Sequence, residues 1–213
     1  MSRAPHESSS TPVVRRLAHP GVLLIDVQPH FLDAAAADPA WLLPRLEGLL
    51  AMAGCLRLPL VATFERPAKN GWLPEALEAV WPQEGQRFEK RTFDCCSEPV
   101  IAAALAGLGR RQLLVAGSET DVCVLQSVLS LLARGYEVFL LEDCLFSSEP
   151  HTAPALARMR AAGGVSCTLK TAFYELMRTV AVLDDPAAAG HGWAELLQRF
   201  SEPEALPEWR PPG

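Results

Sequence analysis

The chain has 213 residues and a net charge of −6, which argues against a general nucleic-acid binder, since such proteins are usually basic. Its hydrophobic share of 49% against 21% charged residues suits one α/β domain with a real core, and no apolar run approaches the length of a membrane span. Residues 1–18 read as a flexible, Pro/Ser-rich arm without the apolar stretch of a secretory leader, so a cytoplasmic protein is expected. Residues 19–213 form the single domain, with an extended, proline-rich tail from about 201.

The first element is the short apolar run 21–25, which suits a strand covered on both faces and stops at Asp26. A helix pattern follows over 41–55, then a second strand over 58–64. Residues 66–85, with three prolines and two tryptophans, read as a long loop or irregular lid. A weak third strand spans 87–91, a helix 98–108, and a fourth strand 112–117. The helix 121–134 is closed by Gly135, and a fifth strand covers 136–141. A helix over 151–162, a sixth strand over 165–169, and helices over 171–183 and 193–200 complete the pattern. Alternating strands and helices at this spacing predict βαβ units and a parallel sheet, and six strands favour the doubly wound order 3-2-1-4-5-6. In that order strands one and four are neighbours across the topological switch, where ligands bind outside the carboxyl ends of strands. No G-x-G-x-x-G follows strand one and no phosphate-binding G-x-x-x-x-G-K-[ST] is present, so a nucleotide site is not expected.

The segment Gly117-Ser118-Glu119-Thr120-Asp121-Val122-Cys123-Val124 is the most informative. It places a cysteine in the first turn of a helix, where unpaired N–H groups and the helix dipole favour thiolate. Cys123 can therefore act as a nucleophile, Asp26 at the end of strand one as its base, and Lys90 at the end of strand three as a positive group on the same edge. Backbone N–H groups around Glu119 and Cys123 would supply the oxyanion donors. Each residue also has a plainer reading: Asp26 as a helix cap, Lys90 as one solvated charge in a mixed run, Cys123 as a packed thiol. The other five cysteines (Cys55, Cys95, Cys96, Cys144, Cys167) show neither C-x-x-C nor zinc spacing and read as reduced, mostly buried groups.

Asp26-Val27-Gln28-Pro29-His30-Phe31, the segment Glu89-Lys90-Arg91-Thr92-Phe93-Asp94, and the Cys123 segment together resemble the three signature segments of the isochorismatase-like cysteine hydrolases. That family includes nicotinamidases and carbamoylsarcosine amidohydrolases, and the resemblance covers about residues 21–177. It implies a Rossmann-like three-layer α-β-α sandwich, Asp26, Lys90 and Cys123 as catalytic residues, and a non-proline cis peptide at Ser118–Glu119. It also implies a homo-oligomer, a dimer or tetramer; the apolar face of the helix 193–200 points the same way, because a monomer would expose it. Metal-dependent nicotinamidases carry Asp and His ligands after strand two, whereas this chain reads Thr63-Phe64-Glu65-Arg66-Pro67 there, so neither metal nor any other cofactor is expected. True isochorismatases lack the nucleophilic cysteine, so Cys123 points to C–N bond cleavage in a small amide, carbamoyl or imide-like substrate. Phe31, Phe64, Trp72 and Phe93 are candidate pocket walls. The competing readings are a catalytically silent scaffold and a thiol redox protein pairing Cys123 with Cys95 or Cys96.

Overall fold

A computed structural model describes residues 15–201 except position 191. The chain begins with β1 (Gly21–Ile25), α1 (Pro29–Asp33), α2 (Pro39–Cys55) and β2 (Leu60–Glu65). The short helices α3 (Pro67–Asn70) and α4 (Glu75–Glu78) precede β3 (Gln86–Lys90), α5 (Pro99–Gly107) and β4 (Gln112–Gly117). A π-helical turn (Thr120–Val124) runs into α6 (Leu125–Ala133), followed by β5 (Glu137–Leu145), α7 (Ala153–Ala161) and β6 (Val165–Cys167). Helices α8 (Leu169–Met177), α9 (Ala181–Asp184), α10 (Pro186–Ala189) and α11 (Trp193–Ser201) close the chain.

The six strands form one all-parallel sheet in the order β3-β2-β1-β4-β5-β6, as the alternation of elements predicts. β1 is central and all five of its residues are buried, which explains why it reads as an uninterrupted apolar run. Its side chains still alternate. Val22 and Leu24 join a core built with α2, α8 and α11, whereas Leu23 and Ile25 join a second core with α5, α6 and α7. The sheet is thus a middle layer between two layers of helices.

Three differences from the sequence reading have local causes. β5 continues to Leu145, beyond the polar pair Glu142-Asp143, because the ladder with β4 shifts register between Val115 and Gly117 and then pairs Gly117 with Leu145. The helix after β4 opens with a π turn rather than an α turn. The apolar face of α11 is not left open: Trp193, Leu196 and Phe200 are buried in the first core, and Phe200 stacks on Phe173 at 4.4 Å. That face therefore gives no reason for self-association. Of the expected arm, residues 15–18 are anchored, with Leu17 buried and its N–H donating to Glu175 at 2.7 Å. The remainder of the arm and the expected tail lie outside the described residues.

Candidate active site

The chain reverses direction at Asp26 with a left-handed backbone (φ 49°), a conformation aspartate tolerates better than most residues. The Asp26 N–H donates to Thr63 O at 3.0 Å, extending the β1–β2 ladder by one residue. On the other side, Ser118 N–H donates to Ile25 O at 2.8 Å and Ser118 Oγ donates to Asp26 O at 2.8 Å. This close approach requires Gly117: its φ is +116°, and a Cβ there would sit 1.9 Å from Ile25 O. The ends of β1 and β4 are thereby fastened together, and Asp26 faces the turn that carries Cys123.

The three expected catalytic side chains meet. Lys90, at the end of β3, is 1% exposed; its Nζ lies 2.6 Å from Asp26 Oδ2, 3.4 Å from Cys123 Sγ and 3.0 Å from Thr92 O. Thr92 O and Cys123 Sγ accept hydrogen bonds from the ammonium, and Asp26 Oδ2 is its ion-pair partner. Thr63 Oγ1 donates to Asp26 Oδ1 at 3.1 Å. Asp26 and Cys123 are buried as well, at 0% and 2% exposure. The Ser118–Glu119 peptide is cis, as the resemblance implies. Beyond it, Glu119 O accepts from the N–H groups of Val122 and Val124, on either side of Cys123. The Glu119 carboxylate turns away and accepts from Ser147 Oγ (2.8 Å) and Ser148 Oγ (2.9 Å).

Burial sets the charge states. It raises the Asp26 carboxyl to about 6, against the pull of Lys90. For Lys90, burial pulls downward, but the Asp26 carboxylate foremost, with the Cys123 sulfur beside it, prevails and the ammonium is held above its ordinary value. Cys123 departs from the sequence expectation of a thiolate. Burial first, then the charges of Asp26 and Glu65, push it up to about 12, and Lys90 only partly compensates. The resting site is a neutral thiol beside a carboxylate–ammonium pair.

Of the four candidate pocket walls, Phe64 is fully buried in the first core, tilted against Trp72 at 5.2 Å; its place on β2 directs it away from Asp26, so it is a core residue. Trp72 and Phe93 are half-exposed, at 49% and 53%, and Phe31 is partly buried. A hollow of about 660 Å³ lined by Leu17, Tyr174, Met177 and Arg178 contains none of the site residues. All six cysteines are free.

Three residues of the site were not singled out by the sequence reading. Thr63 sits at the end of β2, where the parallel register pairs it with Ile25. Gln28 is completely buried: its amide donates to Glu65 O and Gly71 O, and its carbonyl accepts from Glu65 N–H at 2.7 Å. Glu65, thus held, brings its Oε2 to 3.8 Å from Cys123 Sγ. Carboxylate oxygens of Asp26 and Glu65 and the Cys123 sulfur lie within 4.8 Å of one another, a donor set that could hold a metal. Lys90 Nζ already contacts two of the three, so a cation is built into that space.

Residues 20–171 match the family model of the isochorismatase domain. Isochorismatase family protein 1A of Dictyostelium discoideum is 32% identical over 127 residues, 58% of this chain and 62% of the relative, so the match spans under two thirds of that protein. The YcaC gene product of Escherichia coli, an octameric hydrolase of unknown specificity, superposes with a TM-score of 0.81 at 27% identity, covering 92% of this chain and 95% of that one. YcaC from Pseudomonas aeruginosa, solved with hexane-2,5-diol and covalent acrylamide, superposes at 0.78 with 27% identity, covering 90% and 100%.

Proposed function

The chain belongs to the isochorismatase domain family, the group of isochorismatase-like hydrolases, and from that premise we propose that it is a cysteine amidohydrolase cleaving a C–N bond of a small amide, carbamoyl or imide-like compound. The observation that carries this reading is the Lys90 ammonium touching both the Asp26 carboxylate and the Cys123 sulfur. The buried ammonium thus joins a nucleophile and a proton acceptor whose atoms lie within 4.8 Å of one another.

The neutral resting thiol defines the order of events. With the thiol pushed up by burial, its proton passes to Asp26 as Sγ attacks the substrate carbonyl. Lys90 remains charged and holds the sulfur and carboxylate apart in charge but close in space. The N–H groups of Glu119 and Cys123 are the proposed donors to the oxyanion. Asp26 then gives its proton to the departing nitrogen, the C–N bond breaks, and a thioester remains. Water adds to the thioester carbonyl, passing one proton through Asp26 back to sulfur; the acid leaves and the thiol is restored. In sum, an amide and water yield an acid and an amine or ammonia.

The covalent acrylamide in YcaC of P. aeruginosa supports a reactive nucleophile in that protein, though such an adduct forms at the vinyl carbon and leaves the amide intact. The octameric E. coli neighbour supports a homo-oligomer here as well, in place of the argument from α11. The test is release of ammonia or amine across a panel of small amides, carbamoyl compounds and imides, with Cys123→Ala as control. Absence of turnover on every member, in protein whose Cys123 alkylates normally, overturns the amidohydrolase reading and leaves a silent scaffold.

A further inference from the structure

The two carboxylates beside Cys123 differ in what they face. Asp26 is fully buried and neutralised by Lys90 at 2.6 Å. Glu65 is only partly buried, and among the described residues no cation lies within ion-pair distance of it. The one hydrogen bond its carboxylate makes among the described residues is from the Cys123 thiol, at 3.8 Å. Its main chain is nevertheless pinned on both sides: Gln28 takes its N–H and donates to its carbonyl, and Asn70, 4% exposed, donates to the same carbonyl at 2.8 Å. With its main chain anchored beside the sulfur and its carboxylate engaged only by that weak thiol contact, Glu65 offers an acceptor for a donor that arrives with the substrate.

We propose that Glu65 is the specificity-determining residue of this site. It accepts an N–H of the scissile group, so that neutral compounds with an unsubstituted –CONH2 are taken, and those carrying a carboxylate at that place are refused. The thiol's weak hydrogen bond to Glu65 is exchanged for the substrate's N–H as Sγ turns to the carbonyl. The inference rests on Cys123 as the nucleophile, and a negative substrate group there would meet an uncompensated like charge in a poorly solvated setting.

Iodoacetamide and iodoacetate test it directly, because they differ only in –CONH2 against –COO⁻ at the relevant place. In both cases sulfur displaces iodide, a C–S bond forms, and the thiol proton leaves through Asp26 to solvent. Alkylation of Cys123 is followed by peptide mass spectrometry, with each rate normalised to a free thiol. The wild-type protein should prefer iodoacetamide at least tenfold beyond the free thiol. Glu65→Gln should reduce that preference at least fivefold, mainly by speeding iodoacetate, while Glu65→Asp, which keeps the charge, should retain most of it. An unchanged preference in Glu65→Gln, or failure of both reagents to label Cys123 in every variant, overturns the assignment. A preference that shifts as expected in a protein that turns over no amide keeps Glu65 as the reader and removes only the amidohydrolase reading.

Discussion

The molecule contains two trios of a carboxylate, a cation and a cysteine, one fully buried and one with a partly buried carboxylate, and only the first is arranged for chemistry. At the carboxyl ends of β1 and β3, Asp26 pairs with Lys90 at 2.6 Å, and the Cys123 thiol is the next group along. Within β5, Asp143 pairs with Arg45 at 3.5 Å, and Cys144 lies 3.9 Å from the same carboxylate. The second trio is committed to structure. Asp143 Oδ1 accepts the Leu169 N–H at 2.8 Å at the start of α8, Arg45 stacks on Trp41 at 3.9 Å, and Cys144 is completely enclosed. Burial raises both carboxyls, and it raises both thiols. The shifts alone therefore do not distinguish a site from a scaffold. What distinguishes them is that Cys123 stands in the turn after β4 and accepts from the Lys90 ammonium, whereas Cys144 is a β5 residue fully enclosed in the first core.

The sharpest way to break this contrast is to remove each sulfur. Cys123→Ala should lower turnover at least on the order of 10⁴-fold with little change in melting, since loss of a nucleophile leaves only the remaining site. Cys144→Ala should leave turnover per folded molecule within about threefold and cost roughly 1–2 kcal/mol in denaturant unfolding, as small core truncations do. Equal activity losses would erase the difference between the trios.

The carboxylates come next. Asp26→Asn should reduce kcat/KM by about 10²–10⁴-fold through loss of the proton acceptor. Asp143→Asn should act on stability instead, lowering it by roughly 1–3 kcal/mol because the Leu169 N–H at the start of α8 loses a charged acceptor. A thermal-shift series run beside the ammonia assay separates the two patterns.

The pH profile is a finer probe. With Asp26 at about 6, kcat/KM should climb about tenfold per unit below that pH and level off above it, because the ionised form is the acceptor. Lys90 and Cys123 are both raised, so no falling limb from either is expected before strongly alkaline pH. Asp26→Asn should lose the acid limb; Asp143→Asn should keep it. A limb that persists near pH 6 in Asp26→Asn would assign it to another group. The smallest effect expected is from chelation: dialysis against a chelator should change turnover by less than about twofold, because Lys90 occupies the place a metal would take between Asp26 and Cys123. Metal-dependent activity in the dialysed protein would show that the ammonium is not the working cation.

What could be read from the chain follows from whether a contact is local. The runs 21–25 and 113–117 are covered on both faces, so each appears as an unbroken apolar stretch, and the strand bounds 21–25 and 112–117 match those found. The meeting of Asp26, Lys90 and Cys123 follows from strand order, which the alternation of elements implies. The π turn was not legible, since no residue type marks it, and the extension of β5 depends on a register shift set by its neighbour. Thr63, Gln28 and Glu65 escaped notice because each acts through a partner at least 37 residues away: Asp26 for Thr63, Glu65 for Gln28, Cys123 for Glu65. The upward push on the Cys123 thiol was not legible for a related reason. The helix-end argument is local, but the burial and the second carboxylate that oppose it come from β1 and β2.

Gln28 carries a consequence for anyone redesigning this protein. Its amide joins the segment after β1 to the end of β2 and to Gly71, so the stretch between β2 and β3 is stitched at its beginning and free of that stitch thereafter. A loop transplant meant to import a new substrate range should therefore be spliced after Gly71. Grafts that start earlier would cut the stitch and let Glu65 drift from the sulfur, and libraries built that way should return well-folded proteins with scrambled selectivity.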